Sequence, residues 1–197
     1  MVKFEVGENR DKLGFKDEVF RHFKFLIDNY GFNCVEMNIT FVRYESKKVF
    51  ANIYHSRGSY ELGFEIGFIS NERENENKYS LKEIIELLTN DTFTPFQTSN
   101  VEGVKKFVSI MADLVKKYAI DAILGDKNFF KKLAEARAKW FNQYMANMKL
   151  DNIRPKAGIA WKEKNYKGFV ELYSTIPKEY LTRSEEKKIE YARNHMF

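Results

Sequence analysis

The residues of this sequence whose type and spacing best suit catalysis are two glutamates, Glu61 and Glu65. The stretch YELGFEIGF alternates with a period of two, which predicts that both side chains point from one face of a strand, about 7 Å apart. Such a pair could serve as a general acid and base or hold a divalent ion, as in a carboxylate-dependent hydrolase. Cross-strand pairing with basic residues such as Arg43 is the favoured interpretation.

Other reactive residues are scattered. His22, His55 and His195 lie far apart, Cys34 is the single cysteine, and no metal-ligand spacing or nucleophile motif is present. His55, at the end of a strand, could be a base, but a solvated histidine beside a turn is the favoured interpretation. The sequence therefore predicts no cofactor and no metal site, and it favours a protein that is not an enzyme.

Aromatic and polar residues alternate along the same strands and could recognise a partner. The predicted partner-binding residues are Tyr44, Phe50, Asn52, Tyr54, Glu61 and Glu65. Aromatic side chains beside charged ones suit a protein interface, and they can also stack nucleobases. Both partner classes stay open at this stage.

The elements that position these residues are a helix followed by strands. An i, i+3/i+4 apolar pattern predicts a helix from Phe15 to Tyr30, closed by Gly31. The period then changes to two, and short polar breaks predict a three-stranded antiparallel meander. The predicted core face consists of Met37, Ile39, Phe41, Val49, Ala51, Ile53, Leu62, Phe64 and Ile66.

Helices are predicted after the strands. The polar stretch SNERENENK is expected to be an exposed loop. Capping boxes are predicted at Ser80 with Glu83, Ser99 with Glu102, and Thr182 with Glu185. A helical hairpin whose second helix contains Trp140, Phe141, Met145 and Met148 is expected to pack on the sheet, and LDNIRPKAGIA is expected to be a connector. The predicted fold class is α+β, with domains at 1–150 and 151–197, the second a docked helical hairpin.

Charge and composition bound the partners. The net charge is +5, and residues 99–197 carry 20 Lys and Arg against 12 Asp and Glu. This basic half makes nucleic-acid binding an alternative. The single cysteine and the absence of a secretory leader or a long apolar run favour a cytoplasmic protein with no membrane partner.

The run FVRYESKKVFANIYHSRGSYELGFEIG, with FLIDNYGF upstream, resembles small bacterial proteins of immunity or toxin-neutralising type. The segment AWKEKNYKGFVELY resembles the first helix of a tetratricopeptide unit, although no second copy is visible. The first resemblance implies a binding protein and assigns no catalytic residue. We therefore expect a non-enzymatic protein-binding protein that uses the open face or an edge of the meander, with a homodimer through a sheet edge as a further expectation.

Overall fold

The computed structural model describes residues 10–196. The strands are β1 (Asn33–Met37), β2 (Phe41–Glu45), β3 (Val49–His55), β4 (Glu61–Phe68), β5 (Tyr79–Ser80) and β6 (Phe96–Gln97). The α-helices are α1 (Phe15–Tyr30), α2 (Leu81–Thr89), α3 (Val101–Tyr118), α4 (Ile120–Ile123), α5 (Lys127–Lys162), α6 (Tyr166–Tyr173) and α7 (Arg183–Asn194). Short 3-10 turns occupy Asp11–Leu13, Arg73–Asn75 and Lys178–Tyr180. Residues 1–9, on which the expectation of no leader partly rests, lie outside the described residues.

The sheet is antiparallel, which confirms the α+β class, but it has six strands in the described part of the chain instead of three. The order is β1-β2-β3-β4-β5, and β6 also pairs with β4. One extra strand arises because the chain reverses at Asn38, whose N–H donates to the carbonyl of Phe41 over 2.8 Å. The stretch predicted as one strand therefore forms β1, a turn and β2. The other two, β5 and β6, are two-residue strands that pair with β4.

This turn changes which side chains reach the core. Met37 is 41 % exposed, and Phe41 pairs with Tyr54 away from the core, so the predicted core position of both residues is wrong. Val42 and Tyr44 are buried instead, opposite Ile53 and Ala51. The predicted core residues of β3 and β4 are all buried, and they pack with α1 and α3 in one apolar cluster.

Local signals at helix ends are mostly confirmed. The capping boxes of α2 (Ser80 with Glu83) and α7 (Thr182 with Glu185) form as predicted. The predicted box at Ser99 is wrong, because α3 is capped by Asn100, whose Oδ1 accepts from the N–H of Gly103 over 2.8 Å. An amide side chain at this position satisfies the same unpaired donors as a serine would.

The chain divides into two compact units, residues 1–134 and 135–197, which we call unit 1 and unit 2. The division falls inside α5, earlier than the predicted boundary after residue 150. The predicted connector at 150–160 is wrong, because α5 continues through Pro155 to Lys162. Unit 2 has its own apolar cluster, in which Leu150 and Ala157 of α5 pack with Phe169 of α6 and Ile189 of α7.

Candidate functional site

Five of the six predicted partner-binding residues share one face of the sheet, which we call the outer face. Antiparallel register places Asn52 opposite Glu65 and Tyr54 opposite Gly63, while Phe50 and Glu61 occupy alternate positions of the same strands. The opposite face carries the core residues Ile53 and Phe64. The period-two pattern of β3 and β4 thus predicted the composition of the outer face.

Tyr44 lies on the other face and corrects the predicted set. It pairs with Ala51 and is fully buried in the core of unit 1. Burial raises the pKa of its hydroxyl, which has no hydrogen-bond partner among the described residues. Tyr44 therefore contributes packing and cannot contact a partner in this conformation.

A buried ion pair, missed at the sequence level, occupies the outer face at Arg43. Its guanidinium donates to both carboxylate oxygens of Glu76, over 2.9 and 2.7 Å, and to Glu45 over 2.6 Å. It also lies 4.2 Å from the ring centre of Phe50. Burial alone would lower the pKa of Arg43, but the bonds and charges of Glu76 and Glu45 raise it above its usual value.

The loop from residue 69 to residue 78 covers this part of the outer face. Glu76 is buried, and the carbonyl of Asn77 lies so close above Gly67 that a Cβ there would overlap it. Phe50 is fully buried, and Asn52 is 2 % exposed. The loop predicted to be wholly exposed therefore closes the surface on which those two residues were expected to meet a partner.

The opposite end of the outer face is half open. Tyr54 extends its ring across Gly63, where a Cβ would overlap it, and Glu61 and Glu65 lie on either side. Burial and the charges of Glu65 and Glu61 raise the pKa of Tyr54 to about 12, so its hydroxyl stays protonated at neutral pH. It can donate to Glu61 but cannot act as a base.

This arrangement does not support the predicted carboxylate pair. Glu61 and Glu65 are four residues apart on β4, which is about 13 Å at the rise of a strand, not the 7 Å expected, and Tyr54 lies between them. The neighbouring cavity, lined by Tyr54, Ser80 and Pro95 among others, has about 30 Å³, room for a water molecule or two. Within residues 10–196, no group of three or more His, Cys, Asp or Glu could hold a metal ion.

His55 is buried, which corrects the expectation of a solvated side chain. Only 1 % of it is exposed, its Nε2 lies 2.8 Å from the carbonyl oxygen of Thr98, and its ring stacks on Phe15. Arg10 donates to the backbone carbonyl of His55 over 3.2 Å. Burial and the Arg10 charge lower the pKa of His55, although the Thr98 carbonyl opposes them. The neutral histidine links β3 to the segment before α3.

An exposed apolar surface outside the cores lies on α5, in unit 2. We call it the exposed α5 face, and its residues, with their exposed fractions, are Trp140 (66 %), Phe141 (54 %), Tyr144 (48 %), Met145 (39 %) and Met148 (48 %). The sequence predicted that four of these side chains, Trp140, Phe141, Met145 and Met148, belong to a helical hairpin that packs on the sheet. Only the start of α5, through Phe129, Phe130 and Leu133, joins the core of unit 1.

The exposed α5 face is one-sided. At 100° per residue its five side chains span an arc of about 140°, and Leu150 and Ala157 project from the other side, into the cluster with α6 and α7. The rings of Trp140 and Tyr144 stack 5.4 Å apart at an interplanar angle of 11°. Among the described helices none is long and apolar enough to cross a bilayer.

Comparison with known proteins adds no assignment. No protein-family model, curated protein or solved structure matches the chain. The resemblances to immunity-type proteins and to a tetratricopeptide helix therefore stay predictions.

Proposed function

We propose that this protein is a non-enzymatic protein-binding protein, of immunity or regulatory type, that acts in the cytoplasm. The observation that carries the proposal is the exposed α5 face. The lone cysteine, Cys34, supports the proposed compartment. The structure shifts the proposed contact from the outer face of the sheet to α5, because the 69–78 loop buries Phe50 and Asn52.

Composition and position support this choice of surface. Trp, Tyr, Phe and Met are enriched at the centres of protein interfaces, and a handful of clustered anchors often carry most of the binding energy. Full burial of one such side chain contributes about 1.5–3 kcal/mol. Five such side chains exposed to water on one helix face lower the solubility of the protein, and a partner surface that covers them would remove this disadvantage.

The sheet contributes a smaller second surface to the proposal. Within residues 10–196, β1 pairs with β2 alone, which leaves its other edge without a strand from that part of the chain, and Val35 and Met37 are 44 % and 41 % exposed there. Strand addition by a second copy at this edge remains part of the proposal. The half-open end at Tyr54, Glu61 and Glu65 could extend the contact.

Site-specific photo-crosslinking in the source organism tests the proposal. A photoreactive phenylalanine analogue replaces Tyr144 in one variant and the exposed Lys187 of α7 in a matched control. We expect one dominant protein adduct from position 144 that is absent from position 187. Excess wild-type protein should suppress the adduct, and excess Trp140→Ala/Phe141→Ala protein should not. Equal adducts from both positions, or equal suppression by both competitors, would refute the proposal.

Nucleic-acid binding is a second candidate, favoured by the distribution of charge. Unit 1 holds 20 Lys and Arg and 20 Asp and Glu, whereas unit 2 holds 13 against 8 and so carries the entire net +5. A fluorescent 20-nucleotide single strand should then bind at low salt, with affinity that falls steeply as salt rises. Absence of binding at 20 mM salt would remove this candidate. The hydrolase alternative has no support from the geometry of Glu61 and Glu65.

A further inference from the structure

We propose that the partner of the exposed α5 face is a protein with an apolar groove whose rim is acidic. The inference rests on the proposed function and names the chemistry of its partner. Two features of α5 carry it: the shape of the apolar stripe that the exposed α5 face forms, and the charge around that stripe.

The shape fits a groove that takes a helix from one side. Trp140, Tyr144 and Met148 recur at i, i+4 and i+8, with Phe141 and Met145 beside them, as in helices that insert one apolar face into a cleft. From Leu150 onward the other side of α5 packs on α6 and α7. Along 140–148 the other side carries the polar residues Asn142, Gln143 and Asn147, so an open groove that contacts one side is favoured over a partner that encircles the helix.

The positive charge of α5 favours a partner whose groove has an acidic rim. The helix contains nine Lys and Arg but only two acids, Glu135 and Asp151. Two exposed lysines, Lys149 and Lys156, are spaced by seven residues. At 100° per residue they lie within about 20° of each other along the border of the apolar stripe, next to Met145, where they would meet acidic side chains on a groove rim.

The same charges argue against a second copy as the occupant. Two α5 helices that met through their apolar stripes would bring two strongly basic surfaces together, and like charges in contact disfavour association. A membrane is also disfavoured. Helices that lie in the membrane interface carry Lys and Arg along the polar face as a whole, whereas the polar positions on the border away from Lys149 and Lys156 are the uncharged Gln143 and Asn147.

Fluorescence of Trp140 provides the test. The chain has two tryptophans, so a Trp161→Phe variant reports Trp140 alone. The probe is calmodulin, an acidic protein whose methionine-rich grooves open when Ca²⁺ binds. The same protein in EDTA keeps its acidic side chains but closes the grooves, and it is the matched control. We expect a blue shift of Trp140 emission with the Ca²⁺ form and none in EDTA.

Charge variants separate the rim from the groove. Lys149→Glu/Lys156→Glu should weaken calmodulin binding at least tenfold at low salt. A control with the same charge change on α6 and α7, Lys167→Glu/Lys187→Glu, should weaken it by a much smaller factor. Equal effects of the two variants would contradict a rim aligned with Lys149 and Lys156.

Other probes identify the competing occupants. A blue shift with phosphatidylserine-containing vesicles but not with Ca²⁺-calmodulin would show that a lipid surface, and not a protein groove, covers the exposed α5 face. A shift that grows with the concentration of the protein alone would show that a second copy covers it. No shift with any probe would overturn the acidic-groove inference, yet a specific adduct from position 144 would still support protein binding, so the two failures are distinguishable.

Discussion

Arg43 is the residue on which the closed part of the outer face depends. Its guanidinium neutralises Glu76 and Glu45 and covers the ring of Phe50, so a charged loop can lie on the sheet without an unpaired buried charge. Glu76 is contributed by a segment that was predicted to be exposed. The buried ion pair with Arg43 and the exposed pairs of Arg73 with Glu36 and Glu45 link that segment to the sheet.

Replacement of Arg43 by methionine should destabilise unit 1 by about 3–5 kcal/mol, because it leaves Glu76 charged and buried without a partner. Urea unfolding followed by circular dichroism measures the change. Arg43→Met/Glu76→Met should recover most of the loss. Arg73→Met is the matched control: Arg73 pairs with Glu36 and Glu45, but its side chain is 57 % exposed, so we expect less than about 1 kcal/mol. Similar losses in both single variants would contradict this account.

His55 should make unit 1 sensitive to mild acid. Its pKa in the folded state lies below the usual 6.5, so the unfolded chain binds the proton more readily. The contribution of His55 to stability is therefore complete above pH 6.5 and decreases as the pH falls below it. Urea unfolding at pH 7.5, 6.5 and 5.5 measures this loss of stability.

His55→Gln keeps a donor for the Thr98 carbonyl but does not titrate, so the free energy of unfolding of this variant should change less with pH. An equal pH dependence in the variant and the wild type would rule out His55 as the source.

At the scale of elements, α5 shows how one helix can serve two purposes. One side of it packs against α6 and α7, and the other side presents aromatic and methionine side chains to solvent. Its C-terminal half is tied to α7 by Arg154, whose Nε donates to Glu185 over 2.9 Å. Glu185 also completes the capping box of α7 with Thr182. This carboxylate therefore joins the two helices, and it also accepts a hydrogen bond from the backbone N–H of Thr182 at the start of α7.

Glu185 should set the acid limit of unit 2. Burial acts to raise its pKa, but the bonds from Arg154 and Thr182 lower it to about 2, against an ordinary value of 4.5. Its stabilising contribution is present above pH 4.5 and is lost as the pH falls from 4.5 towards 2. The melting temperature of unit 2 within the full chain, recorded between pH 6 and pH 2.5, measures this contribution.

Glu185→Gln should have a lower melting temperature at pH 6, and its melting temperature should depend less on pH below pH 4.5. The exposed Glu190 of the same helix offers the control, and a parallel change in Glu190→Gln would contradict the assignment.

For the whole molecule, the two units have separate apolar clusters and different charge. Unit 1 contains the sheet and is neutral, and unit 2 contains helices and carries the net positive charge. Both tryptophans, Trp140 and Trp161, belong to unit 2. Tryptophan emission therefore reports one unit, while far-ultraviolet circular dichroism reports both.

Substitutions in one unit should leave the unfolding of the other largely unchanged. Arg43→Met should move the urea midpoint measured by circular dichroism and leave the tryptophan midpoint close to that of the wild type. Glu185→Gln should move the tryptophan midpoint. Coincident shifts of both signals in both variants would show that the chain unfolds as one cooperative structure.

Much of the fold follows from local patterns. The apolar spacing of α1, the period-two alternation of β3 and β4, and the Ser80 and Thr182 caps are properties of a few neighbouring residues, and the structure contains each of them. The reversal at Asn38 was missed because Met37, Ile39 and Phe41 keep the alternation of a strand across a turn. Pro155 and Gly158 similarly suggested a break that the packing of α5 on α6 and α7 overrides.

The sequence by itself determined the elements and the alternation of two faces in the sheet. Only the tertiary structure decided which surfaces are covered. Arg43 and Glu76 are 33 residues apart, so their pairing and the burial of Phe50 depend on a long-range contact that no local period encodes. An apolar stripe on a helix has the same spacing whether it faces a core or solvent, and for Trp140 to Met148 the fold leaves it exposed.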